Sequence, residues 1–152
     1  MADTVDRATR SKIMSWVRSK NTGPELTFRK ALFARGLRYR LHGAGLPGSP
    51  DLVLPRFVAV VFVHGCQWHW HGCNRCRMPK TNVEYWSKKI AHNQERDRAQ
   101  VAALRKLGWR VLIVWECTLK PSYLEAAADK AAKWLRSSRG KLLTVEPTKV
   151  IR

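Results

Sequence analysis

Acidic residues are scarce in this chain. Eleven Asp and Glu face twenty-nine Lys and Arg, a formal net charge of +18 over 152 residues. That shortage of negative charge favours polyanionic partners, nucleic acid ahead of an anionic membrane. The basic residues are spread through folded-looking segments, which argues against a charge carried only for solubility or in a basic tail. Long apolar runs are also missing: none approaches the roughly 20 residues of a membrane span. The N-terminus from Met1 to Asp6 is polar and carries no leader pattern, so a cytosolic protein is expected, with no membrane partner. Cysteine is sparse, four residues in all, and in a reducing compartment these are thiols or metal ligands rather than disulfides. No internal repeat or low-complexity stretch is visible, and the length suits one domain with a real core.

The sparse cysteines are not scattered. His64-Gly65-Cys66-Gln67-Trp68-His69-Trp70-His71-Gly72-Cys73 packs three histidines and two cysteines into one stretch, directly after the apolar run Phe57 to Val63. Borderline and soft metal ligands therefore sit where a core element reaches the surface.

The flanking elements can be read from pattern. Thr22-Gly23-Pro24-Glu25 is a helix start: threonine to cap, proline in the first turn, glutamate at the positive end of the dipole. The helix ends at Gly36, with Leu26, Ala31, Leu32 and Phe33 as its apolar face. Leu37 to Leu41 alternates apolar and basic, as a half-buried strand does. A glycine and proline loop leads to Pro50-Asp51, and two strands follow: Leu52 to Leu54, then 57 to 63 after a break at Pro55-Arg56. Asp51 either caps its own turn or faces a cleft at the strand mouth.

A basic loop at 74 to 82 precedes a long helix from Val83 to Leu107, closed by Gly108. Its stripe Trp86, Ile90, Asn93, Asp97, Val101, Leu104 is apolar except for Asn93 and Asp97. An inward carboxylate needs a partner, because burying it alone costs several kcal/mol by the usual estimates. Arg96 or Arg98 could supply one. Trp109 to Glu116 reads as a central strand with Cys117 at its end, and Pro121 to Leu135 as a last helix. Leu142 to Val145 is a strand or part of a tail. The order implies an α/β domain with helices flanking a mixed sheet. The boundaries are a basic N-terminal arm at 1–21 with Ile13, Met14, Trp16 and Val17 in a short helix, a domain at 22–136 and a basic C-terminal tail at 137–152.

Structural zinc takes four Cys or His ligands in a closed tetrahedron. Cys66, His69, His71, Cys73, Cys76 and Cys117 are the available donors, and their spacing alone leaves the choice of four open. One arrangement takes Cys66, His71, Cys73 and one outside cysteine. It would pin the segment to the end of the 110–116 strand and leave His64 and His69 for chemistry.

Several motifs resemble one family: Ala8-Thr9-Arg10-Ser11-Lys12, Leu46-Pro47-Gly48-Ser49-Pro50-Asp51, Val63-His64-Gly65-Cys66-Gln67-Trp68-His69, Asn93-Gln94-Glu95-Arg96-Asp97 and Gly108 to Cys117. In this order they resemble the very-short-patch repair (Vsr) endonucleases, which nick DNA at mismatches. The stretch after Leu119 adds nothing to the resemblance. It implies a type II restriction endonuclease-like (PD-(D/E)xK) fold, a Mg²⁺-dependent active site and one structural zinc.

By this resemblance, Asp51 and the backbone carbonyl of Val63 would hold Mg²⁺. His69 would be the general base or a water-orienting group, with Asp97 hydrogen-bonded to it. His64 would position water near the scissile phosphate, and Glu25 would be a supporting acidic residue. Zn²⁺ would be held by Cys66, His71, Cys73 and Cys117, leaving Cys76 spare. Gln67, Trp68 and Trp86 occupy the positions of the aromatic wedge that enters the base stack. Unstacking is cheapest at a mismatch, so such a wedge itself selects.

The chain departs from the family's best-known pattern at Val63, where threonine stands, and at Gln67, where a third aromatic stands. A backbone ligand tolerates the first change. The second weakens the wedge and shifts or relaxes specificity. The implied substrate is duplex DNA with a T:G mismatch left by deamination of 5-methylcytosine. The implied partner is a MutL-type repair protein, and the enzyme would act as a monomer, nucleoid-associated when on DNA. The competing readings are a zinc-stabilised DNA-binding module without catalysis and a restriction-type enzyme cutting both strands.

Overall fold

A computed structural model describes residues 6–9, 21–74 and 76–145. The N-terminal arm expected at 1–21, with its helix around Ile13 to Val17, falls almost wholly outside the described residues.

The first helix, α1 (Gly23–Ala34), starts as its sequence directs. The Thr22 hydroxyl accepts from the Glu25 N–H at 3.3 Å, Pro24 sits in the first turn, and Gly36 at φ +82 lets the chain turn away after it. Its buried side chains are Glu25, Phe28, Ala31 and Leu32. The face thus differs from the expected one: Phe28 is fully buried and Phe33 is 53% exposed. Both fit a helical stripe, and the strand beneath selects Phe28. Phe33 is covered instead by the Arg38 guanidinium, 3.9 Å from its ring centroid.

Five strands form one mixed sheet in the order β1 (Arg40–Leu41), β2 (Leu52–Leu54), β3 (Ala59–His64), β4 (Arg110–Trp115), β5 (Leu142–Val145). The first three are antiparallel neighbours; β3–β4 and β4–β5 are parallel. The apolar run does not enter the sheet at Phe57. Pro55–Phe57 is a 3-10 turn, Val58 is left-handed at φ 50, and β3 begins at Ala59. The expected strand at 37–41 is paired only over Arg40–Leu41, and Leu41 is 44% exposed.

Side chains of β3 and β4 alternate between two covered faces, as parallel central strands require. Val61, Leu112 and Val114 join Phe28, Leu32 and Leu135 in a core beneath α1 and the C-terminal helix. Val60, Phe62 and Val111 join Leu104 on the other face, beneath the long helix. By the same alternation, His64 and Trp115, paired across β3 and β4, come out on the long-helix side.

Two elements sit between these strands: α2 (Cys66–His69), one turn directly after β3, and α3 (Val83–Lys106), the long helix. The stripe expected on α3 is the covered one: Ile90 and Leu104 are buried, while Trp86, Asn93, Asp97 and Val101 are half-buried. The last helix, α4 (Leu124–Arg136), is tied to α1 by Arg35, which reaches Glu125 at 2.6 Å and Asp129 at 2.9 Å.

Leu142 to Val145 is a strand, not a tail, so the sheet extends past the boundary at 136. Arg110 holds the connection. Its guanidinium lies 4.1 Å over the Trp134 ring and donates to the carbonyls of Trp134 at 2.7 Å and Gly140 at 3.0 Å.

Candidate active site and metal centre

The turn that follows β3 brings four donors together. Cys66, His71, Cys73 and Cys117 offer ligand atoms all within 4.8 Å of one another. His71 Nδ1 lies 3.5 Å from Cys117 Sγ and 4.0 Å from Cys66 Sγ. A tetrahedron with bonds of about 2.0–2.3 Å has edges of about 3.5–3.8 Å, so these residues fit one small cation. Burial, first of all, pushes the Cys66 and Cys117 thiols up, and the neighbouring Cys73 thiol adds to this in both. A buried cluster of that kind is unfavourable as bare thiolates and favourable around a soft or borderline divalent ion. His71 is also face-stacked on Trp115, centroids 4.3 Å apart at 12°. Cys76 stands outside the group: its thiol donates to the Cys66 carbonyl at 2.9 Å and accepts from the Gly72 N–H at 3.3 Å.

On the other side of the same turn lies a second constellation. Three polar residues of α3 hold it, Asn93 and Asp97 from the stripe and Gln94 beside it. Asn93 Nδ2 donates to the Trp68 carbonyl at 3.1 Å, Gln94 Nε2 to the Trp70 carbonyl at 3.4 Å, and Asp97 Oδ2 meets His69 Nδ1 at 2.6 Å. The inward aspartate therefore has its partner, with Arg96 a more distant second at 3.9 Å. Burial alone would raise the Asp97 carboxyl. The His69 hydrogen bond, first of all, and the positive charge nearby outweigh it and hold the carboxyl below the ordinary value. An ionised Asp97 fixes the His69 tautomer with Nδ1 protonated and Nε2 free to accept a proton.

His64 is only 6% exposed, and its ring is stacked on that of His69 at 3.9 Å and 3°. Burial, then the adjacent His69, holds its pKa down to about 3, so it is a neutral support beneath His69 near neutral pH.

These groups share a cavity of about 490 Å³ with Asp51, Val63, His42 and Arg96. Asp51 faces the cleft and does not cap its own turn: its Oδ2 accepts from the Val63 N–H at 2.7 Å, across the β2–β3 mouth. The loop before it packs closely, because a Cβ on Gly48 would lie 2.7 Å from Gln100 Oε1. Burial raises the Asp51 pKa from 3.8 to about 6, against the lowering by the Val63 hydrogen bond. Between those values the folded state holds the extra proton, so stability falls as pH rises through the window and stays lower above about 6. Asp51→Asn keeps the Val63 bond and removes the charge. It is expected to raise the melting temperature at pH 8 without added Mg²⁺ and to leave it nearly unchanged at pH 3, as read by thermal melts.

Glu25 does not line this cavity. It is 1% exposed within α1, where Oε1 meets His42 Nε2 at 3.1 Å and Oε2 accepts from the Asn21 N–H at 2.9 Å. It reaches the site through His42, which lines the cavity beside Asp51. His42 and Gln100 were missed from sequence, and Arg96 was read only as a possible partner of Asp97. Arg96 and Gln100 flank the Asp97 turn of α3, and that spacing could have found them. His42 gave one indirect signal: a carboxylate in a buried first turn needs a nearby cation or donor.

Trp68 and Trp86 meet at the outer end of α3, centroids 6.4 Å apart, with Trp68 38% exposed. Gln67 lies beside them but spends its amide on Arg77: Nε2 donates to the carbonyl and Oε1 accepts from the N–H, both at 2.8 Å.

Known proteins are similar to this chain in sequence. The family model described as DNA mismatch endonuclease Vsr matches residues 2–75. The DNA mismatch endonuclease Vsr of Escherichia coli (strain K12) is 43% identical over 138 residues, covering 89% of this chain and 88% of the relative. The type II nicking enzyme V.XorIIP of Xanthomonas oryzae pv. oryzae is 49% identical over 78% of this chain and 88% of its own length. The type II nicking enzyme V.NmeAIP of Neisseria meningitidis serogroup A is 44% identical over 79% of this chain and 86% of its own length. With its Cys/His cluster and its His69–Asp97 pair on opposite sides of one turn, this chain belongs to the Vsr DNA mismatch endonuclease family.

Proposed function

We propose that this protein is a Mg²⁺-dependent endonuclease that nicks one strand of duplex DNA beside a T:G mismatch left by deamination of 5-methylcytosine, starting very-short-patch repair. The observation that carries this is the His69–Asp97 pair at 2.6 Å, sharing one cavity with Asp51. A binding module has no need of a base, its orienting carboxylate and a buried acid in one cleft. The names of the relatives, a mismatch endonuclease and nicking enzymes, support the same reaction. The helix, three-strand antiparallel meander, helix and parallel strand support the PD-(D/E)xK fold.

Hydrolysis needs water to form a bond to phosphorus as the bond to the leaving sugar oxygen breaks, with one proton removed and one returned. His69 Nε2 takes the proton from the attacking water, Asp97 stabilises the imidazolium, and neutral His64 supports the ring from beneath. Asp51, with Oδ1 left over from the Val63 hydrogen bond, and the Val63 carbonyl would hold Mg²⁺. A hard cation prefers such oxygen donors, and when bound it supplies charge to the phosphoryl oxygens and the leaving oxygen. Arg96 adds positive charge at the same cleft. Glu25 keeps His42 in place. The Cys₃His group suits Zn²⁺ and has no donor left over for chemistry, which makes it structural. One zinc equivalent per chain should survive purification, by metal analysis.

The enzyme acts on duplex DNA as a monomer, with a MutL-type protein as a further partner, in the cytoplasm and on the nucleoid. Among the described residues no helix is long and apolar enough to cross a membrane. The domain runs from 22 to 136 with β5 added to its sheet, between a basic arm at 1–21 and a basic end. Cleavage of a mismatch panel with varied flanking bases tests the specificity. T:G duplexes should be cut about tenfold faster than fully paired ones or more, since a saving of about 1.4 kcal/mol out of the few that unstacking a base costs gives that factor. Equal rates on paired and mismatched duplexes reject it.

A further inference from the structure

The Gln67 side chain, beside Trp68, is not available to enter a base stack. Its two hydrogen bonds to Arg77 join the α2 turn to the loop before α3, and withdrawing it would break both. On the far side of Trp86 stands Tyr85. It is 58% exposed, more than Trp68 at 38%. Its ring meets Trp86 edge to face, centroids 5.4 Å apart at 78°. With Trp86 6.4 Å from Trp68, the three rings form one continuous series.

Lys89, one helical turn on, lies 5.4 Å from the Trp86 ring and 5.9 Å from Tyr85. The Tyr85 ring is thus restrained by two neighbours and still open to solvent, the condition in which an aromatic can stack on a ligand at low entropic cost. Exposed cations stand beside the series: Lys89 at both rings, Lys88 in the hollow that Tyr85 lines, and Arg77 joined to Gln67. The neighbouring acid Glu84 is paired with Lys88 at 3.2 Å. Aromatic rings within a cationic rim suit an unstacked base with its phosphates alongside.

We propose that Tyr85 is the third aromatic of the mismatch-reading surface, stacking on a base beside the mismatch in the role that Gln67 cannot fill. This rests on the endonuclease reading above and adds to it a specificity-determining residue. Lys89 acts through Tyr85 and Trp86, holding their rings while facing the neighbouring phosphate. Selectivity follows because a mismatched base is the cheapest to unstack.

The test is equilibrium binding of wild type, Tyr85→Ser, Tyr85→Phe and Trp68→Ala to a T:G duplex and its fully paired counterpart. Ca²⁺ replaces Mg²⁺, and 2-aminopurine beside the mismatch reports unstacking. Tyr85→Ser is expected to weaken T:G binding roughly tenfold or more, with under about twofold change on paired DNA and less 2-aminopurine fluorescence in the complex. Tyr85→Phe should retain the preference. If Tyr85→Ser weakens both duplexes equally, or neither, while Trp68→Ala loses the preference, the role of Tyr85 is overturned and the endonuclease reading stands. If wild type binds both duplexes equally, that reading fails and the role fails with it.

Discussion

His69→Ala should lower the single-turnover rate of DNA cleavage by about 10²–10⁴-fold, the usual contribution of a general base. DNA affinity should change little. The ring is half-buried between His64, stacked at 3.9 Å, and Asp97, bonded at 2.6 Å, so in the proposed mechanism its loss would remove a proton acceptor rather than a phosphate contact. Asp97→Asn separates base from orienter. The asparagine amide can satisfy the other ring tautomer, which leaves Nε2 protonated and unable to accept. It should therefore also cut the rate strongly, while the double variant His69→Ala/Asp97→Asn is no slower than His69→Ala alone. Additive losses would mean that the two residues act separately.

Loss of the Cys₃His centre should be the largest structural effect. Cys117→Ser, or treatment with a strong chelator, should release the metal and remove the cooperative thermal transition. Structural zinc contributes about 10–16 kcal/mol in small zinc-folded peptides, comparable to or above the total stability of an ordinary domain. The position of the ligands explains the severity. Cys117 follows β4, while Cys66, His71 and Cys73 lie in and after α2, so the ion would bridge the ends of β3 and β4 where the catalytic turn leaves the sheet. Cys76→Ser should keep the metal, since that thiol bonds only a backbone carbonyl and a backbone N–H among the described residues. Circular dichroism with metal analysis on both variants checks the pair. A Cys117→Ser protein that melts like wild type would remove the structural role.

Much of this arrangement was legible in the chain because its chemistry is local. The Thr22 cap, the long helix and the β3 run followed from pattern, and an inward Asp97 among apolar neighbours announced a partner that proved to be His69. What was not legible depends on packing between distant segments. Phe28 and Phe33 both suit a helical stripe, and only the sheet beneath decides that Phe28 is buried. Leu142 to Val145 could be read as a strand or as part of a tail, and its local pattern does not decide between them. It pairs because Arg110, thirty residues earlier than Gly140, holds the intervening turn. His42 reaches Glu25 from a loop seventeen residues away. The Gln67 amide was unreadable for the same reason, since its partner is the backbone of Arg77, which has no residue-type signature.

In the proposed mechanism one turn, which a metal would brace on one side, presents a base and an acid to a single phosphodiester on the other. The most direct measurement is cleavage of a T:G duplex labelled differently on its two strands, with and without Mg²⁺, by wild type and Asp51→Ala. The account predicts a single nick in the strand bearing the mismatched T, dependent on Mg²⁺ and absent in Asp51→Ala while DNA binding persists. Binding with no Mg²⁺-dependent nick, equal cutting of both strands, or an unimpaired Asp51→Ala would contradict it.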